Sequence, residues 1–328
     1  MKIAVMGTGG VGGYFGARLA AAGADVTFIA RGEHLSAMRR DGLKILSANG
    51  DLTLHPVKAT DDIASIGHVD LVMIAVKLWS TGDAAQSIAP LMGPNSTVVS
   101  WQNGVVAEDI LIEKYSNARV IGGVSNIAAL IESPGVIRHN GTMARLIFAE
   151  LDGKPSTRID ALAALCKQAK VDHVVSDDIN RAIWQKFIFL ASFSGMTCAT
   201  RLSIGPIRSD PETRAMLKAA LQEVVAIGRA KDIKLPDDQV EQSSAWADNL
   251  PETMVASMLG DLNRGNRLEL PWLSGNVVKL GDGLGIATPV HKFIYTVLKL
   301  HADGRLTSSQ PGSGSQSLSV DSRLRGNA

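Results

Sequence analysis

This chain of 328 residues has few cysteines and almost no excess of charge of either sign. Only Cys166 and Cys198 are present, and they form no CxxC motif, which argues against a disulfide framework and favours a reducing, cytoplasmic location. The 33 basic and 32 acidic side chains nearly cancel, and no basic stripe is interleaved with aromatic residues. We therefore expect no nucleic-acid partner.

Long hydrophobic runs and metal-ligand motifs are also missing. No apolar run reaches the roughly 18 residues that a membrane span needs, so we expect no membrane partner. We expect no signal peptide either, because a strand and a glycine-rich turn begin the chain. The seven histidines are scattered and form no HxxxH or HExxH pair, so the sequence predicts no metal site.

The N-terminal stretch carries the most informative pattern in the chain. An apolar run over residues 2–6 leads directly into the loop Gly7-Thr8-Gly9-Gly10-Val11-Gly12. Its glycines have the GxGxxG spacing of a dinucleotide-binding turn, in which phosphates sit at the positive end of the following helix. Gly7 would form the turn, Gly9 would admit the pyrophosphate, and Gly12 would let the helix pack closely on the strand.

The surroundings of this loop support the same interpretation. A helix is predicted from Tyr14 to Ala22, followed by Gly23, and a second strand is predicted from Asp25 to Ala30. Such a βαβ unit predicts a nucleotide site, whereas the alternative is a glycine-rich turn that binds no ligand.

The tip of the second predicted strand carries Arg31, where an NAD-binding unit usually has Asp or Glu. A guanidinium can pair with a 2′-phosphate through two hydrogen bonds, whereas a carboxylate would repel it. Arg31 therefore favours NADP(H) over NAD(H) as the cofactor. The alternative is a solvated surface arginine.

Strands alternate with helices at first, and helices alone follow. Strands are predicted at residues 70–76, 97–101 and 120–129, a small hairpin at 43–57, and paired edge strands at 136–139 and 144–150 with a turn at 140–141. Helices are predicted from Ser176 and at 208–231, 239–262, 273–284 and 292–302. The pattern predicts an α/β fold class, with a Rossmann-type doubly wound domain over residues 1–175 and an all-helical domain over 176–304. Residues 305–328 are rich in Ser, Gly and Arg and are predicted to form a disordered tail.

Two polar residues follow predicted strands at the end where α/β proteins bind ligands. Lys77 comes after the strand at 70–76 and could touch phosphate or ribose, unless it is a solvated lysine. Asn103 comes after the strand at 97–101, beside a glycine that lets it project. It could bind the nicotinamide ribose or a substrate carbonyl, or only its own backbone.

The helical half carries the candidates for proton transfer and substrate binding. Lys186 lies beside an apolar stripe of its helix, where desolvation would lower its pKa and make it a better acid, unless it reaches water past the stripe. Glu269 lies between two leucines just before a proline and could pair with Lys186, or with Arg267 or Arg264 on the surface. Ser257 could bind a substrate carboxylate or be an ordinary helix serine.

Taken together, these residues resemble the ketopantoate reductase (2-dehydropantoate 2-reductase) family from Met1 to about Gly304. The resemblance rests on the glycine loop, Arg31, Val76-Lys77, Gln102-Asn103-Gly104, Trp184-Gln185-Lys186-Phe187, Ser257-Met258-Leu259, Glu269, Gly275 and Thr288-Pro289. It implies NADPH-dependent reduction of a 2-oxo acid to a 2-hydroxy acid in pantothenate biosynthesis, with ketopantoate as the substrate.

The resemblance also implies roles for single residues. Lys186 matches the catalytic lysine that protonates the carbonyl oxygen, and Asn103 matches an asparagine that touches both cofactor and substrate. Glu269 matches a glutamate that closes over the cofactor, and Ser257 a ligand of the substrate carboxylate. The remaining matches are cofactor contacts, made by Arg31 and Lys77 to the 2′-phosphate and ribose and by the backbone of Ala129.

Two positions depart from the family pattern. The family typically has Asn four and eight residues after its lysine, where this chain has Leu190 and Ser194. Loss of such partners weakens discrimination for a substrate hydroxyl. A more apolar 2-oxo acid is therefore one alternative substrate, and a non-catalytic NADP(H)-binding sensor is a second alternative function. The oligomeric state is left open, with a homodimer as one alternative.

Overall fold

The computed structural model describes residues 1–304, so the predicted tail at 305–328 lies outside the described residues. Ten strands form one sheet in the order β4-β3-β9-β8-β7-β6-β1-β2-β5, with β10 paired to β9. The strands are β1 (Lys2–Met6), β2 (Asp25–Ile29), β3 (Leu43–Ser47), β4 (Leu52–Leu54), β5 (Ala59–Thr60), β6 (Leu71–Ile74), β7 (Thr97–Ser100), β8 (Val120–Ser133), β9 (Val136–Glu150) and β10 (Asp172–Val175).

The centre of the sheet is parallel and doubly wound. β1 pairs in parallel with β2 on one side and with β6 on the other, and β7 and β8 continue outward from β6. The order in which strands are added to the sheet therefore reverses beside β1. In such sheets a crevice forms at this point, at the carboxyl ends of the strands. All four residues of β6 are buried, as expected for a strand covered on both faces.

Helices cover this sheet and then form the rest of the molecule. The α/β half contains α1 (Gly10–Ala21), α2 (Gly32–Asp41), α3 (Thr81–Ser87), α4 (Ala107–Tyr115) and α5 (Thr157–Gln168). The helical half contains α6 (Ile179–Thr200), α7 (Ile204–Ser209), α8 (Pro211–Ala230), α9 (Gln239–Asn249), α10 (Ser257–Arg264), α11 (Ser274–Leu284) and α12 (Pro289–Leu298). The predicted fold class, a Rossmann-type sheet followed by helices, is confirmed.

One hairpin differs from the sequence prediction. Residues 136–139 and 144–150 are not paired with each other; they belong to the single strand β9, which runs antiparallel to β8. The turn lies at Pro134-Gly135, where Gly135 has φ +78°, a combination that favours a tight turn. Asn140-Gly141 instead falls in an irregular stretch of β9 opposite the interval between Ile127 and Ala129, where the register shifts.

The helical half departs from the prediction at two breaks. Residues 208–231, predicted as one helix, are divided because α7 ends at Ser209 and α8 begins at Pro211, with Asp210 as its N-cap. Residues 239–262, predicted as one helix, form α9 and α10 with residues 250–256 between them. Pro251 follows directly after Leu250, and a proline removes a backbone donor and disfavours helical backbone in the residue before it. The break turns Ser257 into the first residue of a new helix.

Helix α6 forms the centre of the helical half. Its N-cap is Asp178, whose side chain accepts a hydrogen bond from the backbone N–H of Arg181. The predicted cap, Ser176, instead accepts a hydrogen bond from the N–H of Asp178. Phe187, Ile188 and further residues along α6 are buried against the neighbouring helices, so the direction of this helix is fixed by packing on several sides.

Candidate active site

The glycine loop between β1 and α1 has the shape of a phosphate cradle. Gly7 has φ +99°, and a Cβ built on it would lie 2.8 Å from the backbone nitrogen of Val76. A Cβ on Gly12 would overlap the carbonyl oxygen of Gly7. A Cβ on Gly9, which caps α1, would have nothing within 4 Å, so the helix N-terminus is approachable there. This geometry fits the pyrophosphate of a dinucleotide.

The same loop is held against its neighbours by close contacts. A Cβ on Gly10 would overlap the carbonyl group of Ala129 in β8, so Ala129 lies directly beside the loop. The Thr8 hydroxyl is buried and donates a hydrogen bond to the carbonyl of Ile29, 3.0 Å away. The side chain of Thr8 therefore joins the loop to β2. Val11 lies in the first turn of α1 and is partly buried.

Arg31 lies exposed at the end of β2, and it lines one cavity together with Gly7, Thr8 and Gly9. Its guanidinium forms no ion pair with any of residues 1–304. The wall of this cavity also contains His34, which sequence reasoning missed. An exposed cation at the rim of a cavity that begins at the glycine loop can pair with an anionic group of a ligand.

His34 joins the cavity wall to the β8–β9 turn. Its Nδ1 accepts a hydrogen bond from the N–H of Gly135 at 3.0 Å, so the neutral ring carries its proton on Nε2. Burial lowers the pKa of His34, although a backbone interaction with Thr8 acts in the opposite direction. The only sequence signal for this residue was its place three positions after Arg31.

Lys186 extends from α6 to the sheet. Its ammonium donates a hydrogen bond to the carbonyl oxygen of Ser125 in β8, with Nζ and oxygen 2.6 Å apart. Burial lowers the pKa of Lys186 to about 8, while the carboxylates of Glu269 and Glu108 act in the opposite direction. The hydrogen bond to β8 and the lowered pKa agree with the predicted desolvation, because the half-buried Lys186 extends its ammonium to the sheet. Such an ammonium releases its proton more readily than a surface lysine does.

Glu108 is a second group near Lys186 that sequence reasoning missed. It lies in the first turn of α4. Burial raises the pKa of Glu108 to about 7, and Asp109 adds to this shift while Lys186 opposes it. In the sequence it resembles an ordinary acidic residue at a helix N-terminus, so its proximity to Lys186 could not be inferred.

Glu269 lies between two lysines of the site. It is only 7% exposed, and its Oε1 accepts a hydrogen bond from the backbone N–H of Leu78 at 3.1 Å. Its Oε2 lies 3.8 Å from Nζ of Lys77, and its charge also acts on Lys186. The alternative of a surface pair with an arginine is therefore wrong, because Glu269 faces the α/β half.

Lys77 contacts a further carboxylate that the sequence did not single out. Its Nζ lies 2.9 Å from Oδ2 of Asp261 in α10. Burial would lower the pKa of Lys77, but Glu269 and Asp261 outweigh it and raise that pKa. Lys77 is therefore an ion-paired lysine rather than a freely solvated one, and its pair joins the α/β half to α10 of the helical half.

Asn103 and Ser257 are the two predicted substrate contacts. Asn103 follows β7, and its side chain makes no hydrogen bond within residues 1–304. The next residue, Gly104, has φ +85°, and a Cβ on it would lie 3.7 Å from the carbonyl oxygen of Trp272. Ser257 is exposed at the start of α10, four residues before Asp261, so the two share one face of that helix.

The two departures from the family pattern lie on α6 at helical spacing after Lys186. Residues 186, 190 and 194 share one face of the helix. Leu190 is partly buried and offers no polar atom beyond its backbone. Ser194 is 1% exposed, and its hydroxyl has no hydrogen-bond partner among residues 1–304. This face is therefore more apolar than two asparagines would make it.

Two kinds of feature are missing from residues 1–304. No helix there combines the length and the apolar character that crossing a membrane requires. No group of three or more His, Cys, Asp or Glu side chains in that part of the chain could hold a metal ion.

Known proteins resemble this chain over nearly all of its described length. Residues 3–153 match the family model for ketopantoate reductase PanE/ApbA, and residues 178–302 match the model for its C-terminal part. A 2-dehydropantoate 2-reductase of Mesorhizobium japonicum is 33% identical over 310 residues, which cover 88% of this chain and 94% of the relative.

Two solved structures extend the similarity to three dimensions. The PanE/ApbA family ketopantoate reductase of Ralstonia eutropha JMP134 is 32% identical with a TM-score of 0.84, covering 92% of this chain and 98% of that one. The 2-dehydropantoate 2-reductase of Geobacter metallireducens GS-15 is 30% identical with a TM-score of 0.86, covering 92% and 99%. This chain therefore belongs to the ketopantoate reductase family and is an oxidoreductase that acts on a CH–OH donor with a nicotinamide cofactor.

Proposed function

We propose that the protein reduces ketopantoate, or a closely related branched 2-oxo acid, to the 2-hydroxy acid with NADPH, and that Lys186 is the general acid. The observation that carries this proposal is the position of the Lys186 ammonium. It lies where α6 meets β8, it is held by the carbonyl of Ser125, and burial gives it a pKa of about 8. A group with a pKa near the working pH is suited to proton donation.

The glycine loop, Arg31, Lys77, Ala129 and Glu269 are the residues that we assign to the cofactor. The loop would hold the pyrophosphate at the N-terminus of α1, and Arg31 would hold the 2′-phosphate that distinguishes NADPH from NADH. Lys77 and Glu269 would contact the ribose region, and Ala129 would contribute its backbone. When bound, the reduced nicotinamide supplies the hydride for the carbonyl carbon.

The protein's own residues supply a proton to the substrate and hold the substrate in a fixed orientation. Lys186 donates a proton from Nζ to the carbonyl oxygen, and its charge stabilises the negative charge that develops there before transfer is complete. Glu269 keeps this lysine protonated over a wider pH range, because its charge raises the pKa that burial lowers. We assign orientation of the substrate to Asn103 and binding of its carboxylate to Ser257.

The proposal is tested with two substrates that differ by one hydroxyl group. Ketopantoate and 3,3-dimethyl-2-oxobutanoate share the carboxylate, the ketone and a quaternary carbon, but only ketopantoate has a hydroxyl. Loss of NADPH absorbance with either compound supports 2-oxo acid reduction. Tight NADPH binding without turnover on any 2-oxo acid would contradict the proposal and support the alternative of a cofactor-binding sensor.

The same pair of substrates separates ketopantoate from a more apolar 2-oxo acid. Leu190 favours the apolar alternative, because its side chain has no hydrogen-bonding group, and Ser194 offers only one hydroxyl where the family has an amide. A kcat/KM that is at least about tenfold higher for ketopantoate would identify the hydroxyl as recognised. A preference for 3,3-dimethyl-2-oxobutanoate would identify the apolar acid as the better substrate class.

A further inference from the structure

The loop that follows β6 is held by the helical half at three consecutive residues. Lys77 pairs with Asp261 at 2.9 Å. The backbone N–H of Leu78 donates to Glu269. The indole of Trp79 packs against residues that lie beside Glu269 in the sequence. The next residue along, Ser80, lines the cavity that begins at the glycine loop, so these contacts act on a wall of the candidate cofactor site.

The third contact consists of aromatic rings and a cation. The guanidinium of Arg267 lies 5.0 Å from the ring centroid of Trp79 and 5.6 Å from that of Trp272. The two indoles are themselves 6.2 Å apart. Arg267 therefore bridges one ring from each half of the molecule, a contact that adds cation–π attraction to apolar packing.

The first contact is the best-defined of the three. Asp261 is only 8% exposed, and its second oxygen, Oδ1, accepts hydrogen bonds from Arg264 at 2.9 Å and from Asn266 at 3.2 Å. These two hydrogen bonds from the helical half fix the orientation of the Asp261 carboxylate independently of Lys77. A fixed anion of this kind restricts where the ammonium of a flexible lysine can lie.

We infer that Asp261 is a positioning residue for cofactor binding, which acts by orienting Lys77 while Glu269 and the Arg267 bridge hold the rest of the loop. In this assignment Asp261 acts through Lys77 and not through a cofactor contact of its own. Its effect should therefore appear in the affinity for the reduced cofactor rather than in the chemical step. The inference rests on the proposed cofactor site.

The test compares D261N with D248N. Asn keeps the shape of the side chain and removes its charge. Asp248 is the matched control, because it pairs with Arg214 at 2.6 Å within the helical half and contacts no part of the Lys77–Trp79 loop. NADPH fluorescence gives the dissociation constant, steady-state rates give KM and kcat, and thermal unfolding reports on the fold.

We expect D261N to raise the NADPH dissociation constant and KM about three- to tenfold while kcat changes less than about twofold. D248N should change neither. Unchanged NADPH binding by D261N, or equal losses in kcat and stability without a change in KM, would overturn the inference. Failure of the wild-type protein to bind NADPH would instead contradict the proposed function, so the two failures are distinguishable.

Discussion

The guanidinium of Arg31 is exposed beside the glycine loop, and in the proposed function it pairs with the 2′-phosphate that NADH lacks. We predict that R31A raises KM for NADPH about 10- to 100-fold and changes KM for NADH less than about threefold, because only NADPH loses a charge-assisted hydrogen bond. Steady-state rates with both cofactors measure this. R40A is the control, since Arg40 is an exposed arginine of α2 that pairs with Asp41. Equal losses with both cofactors would contradict the assignment.

In the proposed function, Lys186 is the residue that donates the proton. We predict that K186M lowers kcat by about 10²- to 10⁴-fold, because methionine fills a similar volume but carries no proton. Thermal unfolding should show a folded protein, since an apolar side chain suits a site that desolvates the ammonium. K167M is the control, because Lys167 is an exposed lysine at the end of α5. Wild-type turnover by K186M would remove Lys186 from the mechanism.

The lowered pKa of Lys186 also makes stability depend on pH. Its pKa is about 8 in the folded protein and 10.5 in an unperturbed lysine. Between these values the unfolded chain binds more protons, so the free energy of unfolding rises with pH. We predict that the stability of the wild-type protein relative to K186M increases as pH rises from about 8 to about 10. Denaturant unfolding of both proteins at each end of this range measures the difference, and a constant difference would contradict the prediction.

The glycine loop and α1 form the element to which we assign the cofactor pyrophosphate. We predict that G10A lowers the free energy of unfolding by at least about 2 kcal/mol, because its Cβ would overlap the backbone of Ala129. G9A has open space around its Cβ, so it should leave stability nearly unchanged and weaken cofactor binding instead. Unfolding without ligand and NADPH titration separate the two effects. Equal stability of the two variants would contradict the packing argument.

Elements built from local signals could be predicted from the sequence. The β1–α1–β2 unit follows from an apolar run, a glycine spacing and a helix end that lie within residues 2–30. The sequence prediction for the β8–β9 hairpin is wrong, because two turn signals compete there. Pro134-Gly135 forms the turn, while Asn140-Gly141 is absorbed by a register shift within β9. The pairing partner of each strand, which no local pattern encodes, decides between them.

Across the whole molecule, contacts between distant residues are what the sequence could not supply. Lys77 and Asp261 are 184 positions apart, and Glu108 approaches Lys186 from a different half of the chain. Lys77, Lys186 and Glu269 could be singled out one by one from strand ends and helix faces. Their arrangement, in which each lysine has two acidic neighbours, depends on how the helical half packs on the sheet.

Glu269 connects that packing to the pKa of Lys186. It accepts a hydrogen bond from Leu78, and its charge raises the pKa of Lys186 against the effect of burial. In E269Q the amide oxygen can still accept from Leu78, so the variant removes the charge and leaves that contact in place. Without the charge, burial acts with less opposition and the pKa of Lys186 should fall.

We therefore predict that the alkaline limb of the kcat/KM profile, which reports loss of the proton from Lys186, moves from about pH 8 to a value about one unit lower in E269Q. Rates of NADPH oxidation across the pH range measure it. E241Q is the control, because Glu241 is exposed and pairs with Lys218 in the helical half. An unchanged limb in E269Q would mean that the charge of Glu269 does not act on the proton that is transferred, and Lys186 would then be tuned by burial and Glu108 alone.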